Sequence, residues 1–486
     1  MSSLYEQLAD DIGTNILKGL YQPGERLPGV RQLAQARGVS IATVMAAYRH
    51  LENRTLIEAR DRSGFYVCGH SLQRLPEPQA VAFTPAPAPV TGAELVLAMA
   101  RAASAPNTIH LGAAVPDPSF LPVRQLQSSM ANMARHYGLE AMAYQFPPGL
   151  PELRRQIARR MVNRGCVVSP DDVVITNGCQ EALIIALQAT TQPGDLVALE
   201  SPAYYGLLQM LESLQLKAVE IPGHPTSGLS LQALELALSR WPIKACVVVP
   251  NFSNPLGFCM PDEHKQGLVD LLDRFEVALI EDDVYGDLGY QRERPKSCKG
   301  MLRPGQTDRI YYCSSFSKTL APGLRIGWLA APPAQRSRIE HLKYVQNLGV
   351  NTLAQRVVAD CLENGGYDRH LRQLTASLAL ATARMASAIQ QYFPEGTRVS
   401  RPQGGYVLWL ELPIDVNAVR LTQQALACGI SIAPGPLFSA SGRFENCIRL
   451  SCACRWSSAL EQALQTLAGL VQQQITSLTP LTSSAS

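Results

Sequence analysis

The run Ser314-Ser315-Phe316-Ser317-Lys318-Thr319-Leu320-Ala321-Pro322-Gly323-Leu324-Arg325-Ile326-Gly327-Trp328 sets one lysine among three serines, with an arginine seven residues after it. A lysine in a confined site gives up its proton readily, and the neutral amine can condense with an aldehyde. Hydroxyls and an arginine beside it suit a phosphate dianion, because the planar guanidinium fork matches phosphate oxygens. Amine and phosphate site together are what an aldehyde cofactor with a phosphate arm requires. The competing reading is a surface lysine in a polar turn. The length of the run, ending in Arg325-Ile326-Gly327-Trp328, speaks against it.

The whole run resembles the lysine segment of fold-type I aminotransferases, which use pyridoxal 5′-phosphate. Around it, short β-rich stretches at 173–176, 196–199, 246–249, 277–280 and 310–313 alternate with helical patterns such as 181–190 and 263–275. The alternation predicts an α/β domain with a mostly parallel sheet and helices on both faces. In such open sheets ligands sit at the carboxyl ends of strands. Each polar motif described below follows one of these stretches.

A chain of 486 residues has room for two or three domains. Its net charge of +3 gives no polyelectrolyte signal for the chain as a whole. Twelve cysteines are scattered without paired metal spacing, and Cys452-Ala453-Cys454 has no second pair near it. They read as reduced thiols of a cytoplasmic protein. No secretion signal opens the chain, and no apolar run reaches the roughly 18 residues of a membrane span. Composition changes near residue 70. Pro76, Pro78, Pro85, Pro87 and Pro89 fall within a short polar stretch, which predicts a stiff, extended tether. The expected division is a head over 1–69, a proline-rich linker over 70–92, a body over 93–476 and a frayed tail over 477–486.

In the head, Leu4, Leu8, Ile12, Ile16 and Leu20 recur every four residues and give one apolar helix face, which Pro23-Gly24 stops. A second short helix covers 30–37. Gly38-Val39-Ser40 is a turn, with Ser40 as N-cap of a third helix whose buried stripe is Val44, Ala47, Tyr48 and Leu51. Helix, glycine turn, helix is the spacing of a DNA-binding helix-turn-helix. Two strands with a turn at 60–64 would make a wing. Charge adds little: residues 1–69 hold eight Lys and Arg against seven Asp and Glu.

The string from Pro23 to Ala34, then Gly38 to Val44 and Ser63 to Val67, resembles the DNA-binding domain of the GntR family of bacterial regulators. The resemblance implies that Arg31, Ser40, Thr43 and the wing residues Arg62, Ser63 and Gly64 meet double-stranded DNA. Where family members often carry arginine, this chain has Ile41. A GntR head, a proline-rich linker and an aminotransferase-like body together resemble the MocR subfamily, of which the GabR type is the best-known branch. The fold class expected is a winged helix-turn-helix, mainly α, joined to an α/β fold-type I aminotransferase-like domain.

That resemblance implies a set of cofactor residues. Asn177-Gly178-Cys179-Gln180-Glu181 follows a strand and opens a helix, where backbone N–H groups bind anions. Gly178, Cys179 and Gln180 would hold the phosphate, with Ser315, Ser317 and Arg325. Tyr204 would stack on the pyridine ring. Asn254, in Asn254-Pro255-Leu256-Gly257, and Tyr285 would bond the phenolic oxygen. Asp282 would keep the ring nitrogen protonated, with Asp283 the competing candidate. Lys318 would join the aldehyde. Tyr144 matches a segment that reaches into a partner subunit's site, which implies a homodimer. Arg449 matches the arginine that grips an amino acid's carboxylate.

Three readings follow. One is a regulator whose body holds pyridoxal phosphate and senses an amino compound or amino acid. Another is a working aminotransferase with an appended head. The third is a regulator of vitamin B6 metabolism that senses the cofactor itself.

Overall fold

The computed structural model describes residues 4–17, 20–21, 25–53, 56–60, 63–67, 75–90, 108–291 and 293–478. The head packs three helices, α1 (Leu4–Leu17), α2 (Val30–Arg37) and α3 (Ile41–Asn53), with a ribbon of β1 (Ile57–Arg60) and β2 (Gly64–Val67). Leu8, Ile12 and Ile16 are buried, as the four-residue spacing predicts. Leu4, in the first turn, is 58% exposed, and Leu20, 70% exposed, lies in a bend past the end of α1 rather than on its face. Gly38 ends α2 at φ +64°, a left-handed cap that glycine adopts without a Cβ clash. The Ser40 hydroxyl accepts the Thr43 N–H at 3.1 Å and so caps α3. Val44, Ala47, Tyr48 and Leu51 are fully buried. The ribbon is fastened to this core by Phe65, whose ring lies 4.8 Å from that of Tyr48. Pro23 and Gly24 lie outside the described residues.

The body is built on a nine-stranded sheet. Its strands are β3 (Pro87–Ala88), β5 (Val173–Asn177), β6 (Leu196–Ser201), β7 (Lys217–His224), β8 (Gly228–Leu229), β9 (Ile243–Val248), β10 (Ala278–Asp282), β11 (Ile310–Ser315) and β12 (Ile326–Ala330). The order is β3-β7-β6-β9-β10-β11-β12-β5, with β8 beside β7. Strands β7, β6, β9, β10 and β11 are mutually parallel. β12 is antiparallel to both β11 and β5, so β5 points the same way as the parallel set. Within β6, Leu196 and Ala198 face one apolar cluster while Val197 and Leu199 face another, so the sheet is buried on both sides.

A second, antiparallel sheet of β13 (Arg398–Val399), β14 (Val407–Glu411), β16 (Ala433–Pro434) and β17 (Cys447–Ser451) forms a smaller lobe in the order β13-β14-β17-β16. β4 (Ile109–His110) and β15 (Ile430–Ser431) pair separately. Among the described residues, no helix is long and apolar enough to cross a membrane, no metal-ligating cluster occurs, and the eleven cysteines are free thiols.

Residues 75–90 are not a free tether. Val399 N–H donates to Pro76 O, Gln79 N–H donates to Glu411, and Pro87 and Ala88 pair with Val219 and Ala218 of β7. Proline removes donors but leaves carbonyls, and the lobes satisfy them. The helix Ser458–Leu478 runs through the first residues of the expected tail, and residues 479–486 lie outside those described.

Candidate functional site

Because β5, β6, β9, β10 and β11 point the same way, the residues that follow them meet at one end of the sheet. They line a cavity of about 200 Å³ that includes Cys179, Gln180, Tyr204, Asn254, Asp282, Tyr285, Ser315, Ser317, Lys318 and Arg325. Gly178 caps the helix Cys179–Thr190 at φ +78°, and a Cβ there would run into the Arg325 guanidinium. Arg325 donates to Asn177 O at 3.0 Å and to the Ser317 hydroxyl at 3.4 Å. Guanidinium, hydroxyls and helix start are thereby drawn to one spot, which makes an anion cradle.

Lys318 Nζ donates to Ala114 O at 2.7 Å. Burial pulls the amine down from 10.5 to about 8; the Arg449 and Arg325 charges push the same way, while Asp282 and Cys179 oppose. Roughly a tenth of this amine is therefore neutral at pH 7, against less than about a thousandth for a free lysine. Asp282 ends β10, and its Oδ1 accepts the Cys179 thiol at 3.4 Å and the Val284 N–H at 3.3 Å. Burial raises its carboxyl to about 6, against the lowering effect of those two bonds and of Lys318. Burial likewise raises Tyr204 and Tyr285, so both hydroxyls stay protonated donors.

The alternation of β10 separates the two aspartates. Asp283 turns to the other side, fully buried, where Tyr312 OH donates to it at 2.7 Å, Asn251 Nδ2 at 2.9 Å and the Arg164 guanidinium pairs with it at 3.3 Å. It faces neither the cavity nor solvent.

Arg449, on β17, is fully buried and stands behind the cavity wall. It donates to Asn254 Oδ1 at 3.0 Å and to Gly112 O, and lies against the rings of Phe438 and Tyr205 at 5.2 and 5.7 Å. Its Nε has no hydrogen-bond partner and, among the described residues, no carboxylate pairs with it. Tyr144 is not brought to this cavity. It is 74% exposed and stacks on Phe146, which in turn touches Tyr344.

Sequence reasoning gave no role to the wall formed by Ala113, Ala114, Val115, Tyr205 and Met210, and missed the Tyr406 hydroxyl that donates to Ala114 O at 3.2 Å. Apart from the tyrosines, these residues carry no polar side chain, so residue type alone assigns them no chemistry.

In the head, Arg31 and Ser40 are exposed, Thr43 is half-buried, and Ile41 is 53% exposed at the start of α3. Ser63 Oγ bonds Tyr66 OH at 2.7 Å, and Gly64 sits at φ +107° over the Arg26 side chain. Arg62 lies outside the described residues.

A family model described as "Aminotransferase class I and II" matches residues 117–467, and one described as "Bacterial regulatory proteins, gntR family" matches residues 4–67. The HTH-type transcriptional regulator YdcR of Escherichia coli is 40% identical over 97% of this chain and 99% of its own length. The regulator YjiR of the same organism is 39% identical over 95% and 97%. The crystal structure of LysN, an α-aminoadipate aminotransferase from Thermus thermophilus complexed with N-(5′-phosphopyridoxyl)-L-leucine, aligns at a TM-score of 0.72 and 26% identity, covering 80% of this chain and all of that one. With a winged head at one end and an aminotransferase body over most of its length, the chain belongs to the MocR-type family of HTH-type transcriptional regulators.

Proposed function

We propose that this regulator holds double-stranded DNA through its head and responds to an amino compound that meets pyridoxal phosphate in its body. The observation that carries the reading is Lys318, a buried amine of lowered proton affinity between an anion cradle and a buried carboxylate. The residues fit pyridoxal phosphate: the cradle leaves no room for a Cβ at Gly178, and the far end of the cavity holds a carboxylate rather than a cation. When bound, the cofactor supplies an aldehyde open to amines and a ring that withdraws electrons from them.

This chain's own residues divide the work. Arg325, Ser315, Ser317 and the helix start at Gly178, Cys179 and Gln180 would hold the phosphate. Asp282 would hold the ring nitrogen's proton, Tyr204 would cover the ring face, and Asn254 and Tyr285 would donate to the phenolic oxygen. Arg449, a buried cation with a spare N–H, would take the carboxylate of an amino acid. The exposed Tyr144, Phe146 and Tyr344 form an apolar surface that a second copy would cover, which supports a homodimer with Tyr144 at the partner's site. Arg31, Ser40, Thr43 and the wing residues Arg62, Ser63 and Gly64 would meet DNA. As a DNA-bound regulator it would work in the bacterial cytoplasm, on the nucleoid.

The test is binding of the purified protein to DNA upstream of its own gene and to neighbouring promoters, with and without pyridoxal phosphate, across a salt series. Specific binding with a steep salt slope, changed by the cofactor and insensitive to it in Lys318→Ala, is the expected result. No preference over random DNA under any condition overturns it. The reactive state of Lys318 also favours turnover as a second reading, and release of a keto acid would establish that one.

A further inference from the structure

Residues 75–90 touch both lobes at points that lead to the site. At their start, Leu75 O and Glu77 bind Arg401, Glu77 O accepts from Arg398, and Gln79 N–H donates to Glu411 at 2.8 Å. These partners belong to or adjoin β13 and β14, and β14 pairs with β17, which carries Arg449. At their end, Pro87 and Ala88 add an edge strand to β7 beside Val219 and Ala218. The next residue of β7 is Glu220.

Between these anchors the Phe83 ring lies 3.9 Å from the Arg443 guanidinium. Arg443 Nε donates to Ser441 Oγ at 3.1 Å, and Ser441 Oγ donates to Glu220 at 2.5 Å. Glu220 is buried without a cation among the described residues; the hydroxyls of Ser201, Ser439 and Ser441 and the N–H groups of Ala440 and Ser441 hold it. Ser201 ends β6, three residues before Tyr204. The same loop contains Phe438, which packs against Arg449 and Tyr205 and accepts the Ala203 N–H at 2.8 Å. One face of the loop 435–443 thus meets the amino-acid end of the site, and the other meets the strap.

We propose that residues 75–90 are a strap that reads the state of the site through the Phe83–Arg443 latch and passes it to the head. The inference rests on the reading of Arg449 and Lys318 given above. A ligand at the amino-acid end shifts Arg449 and Phe438, and with them the loop and Arg443. The strap is fixed to both lobes, so its hydrogen bonds at Gln79, Val399 and Ala88 register any change in their separation. It lies in the chain between head and body.

The experiment is hydrogen exchange on the full-length protein, with and without N-(5′-phosphopyridoxyl)-L-alanine, a preformed adduct that fills both ends of the site. Exchange at the amides of Gln79, Ala88 and Val399 is expected to change by about three-fold or more when the adduct binds. Phe83→Ala should abolish that change while the adduct's affinity stays within about two-fold of the parent. Phe83→Leu, which keeps the apolar packing and loses the aromatic face, should diminish it. If the adduct binds and strap exchange does not move, or if it moves equally in Phe83→Ala, the strap proposal is overturned. Failure of the adduct to bind at all overturns instead the site reading on which it rests.

Discussion

Lys318 sits where a charge is costly. Its amine protonates near 8 in the fold and near 10.5 in the unfolded chain. Between those values the unfolded chain holds a proton that the folded chain has released, so stability rises with pH across that window. Below pH 8 both states hold the proton and the full burial penalty applies. Lys318→Met removes the charge and keeps the volume. In the cofactor-free protein it should raise the unfolding free energy at pH 7 by on the order of 2–3 kcal/mol. The gain should fade as pH rises from 8 towards 10.5. Urea unfolding at pH 7 and pH 10 measures both, and equal stabilities of parent and variant at pH 7 would refute the assignment. The site lysine is thus a residue whose placement opposes the fold that holds it. Its neighbours illustrate what a sequence leaves open at this scale. Asp282 and Asp283 are equivalent in composition, and only the phase of β10 sends one to the cavity and the other to Arg164.

The turn from β5 into the helix Cys179–Thr190 shows how an element boundary becomes a binding surface. Gly178 holds φ +78° with no Cβ against Arg325, and β12 returns alongside so closely that Gly327 also lacks room for one. Gly178→Ala strains the backbone and displaces the guanidinium. Affinity for pyridoxal phosphate should fall by at least about ten-fold, measured by absorbance titration, and unchanged affinity would refute the cradle. At this scale much was legible. The runs at 173–176, 277–280 and 310–313 became β5, β10 and β11 because consecutive β-branched and aromatic residues suit a sheet buried on both faces. Ser40 became the cap it resembles. β12 was not legible as an antiparallel return, because its first residues, Ile326 to Trp328, read as the tail of the lysine motif and strand direction leaves no mark on composition. Turn residues such as Pro394-Glu395-Gly396 and Pro402-Gln403-Gly404-Gly405 flank the smaller sheet, but β13 and β16 run for only two residues each, too short to show an alternation. The linker's docking was hidden for a different reason: most of its contacts use its own backbone, and an ion pair, Glu77 with Arg401, and a ring against a guanidinium, Phe83 with Arg443, join residues more than 300 apart in the chain.

Over the whole molecule, two sheets meet around one site, and the segment that composition marks as a tether runs across both. Its last described residues, Pro87 to Val90, matter in a way unrelated to sensing. β7 would otherwise present Ala218 and Val219 as bare backbone at the border of a buried, apolar sheet, the kind of border that recruits a like strand from another chain. Pro87 and Ala88 occupy it, and a proline there offers no donor to a further strand. A body cut at residue 93, where composition places its start, should therefore form higher assemblies at concentrations where a body starting at residue 75 does not; sedimentation of the two would show it. The proline-rich stretch would then serve the body as a selvage, the finished border that keeps a woven sheet from catching on its neighbours.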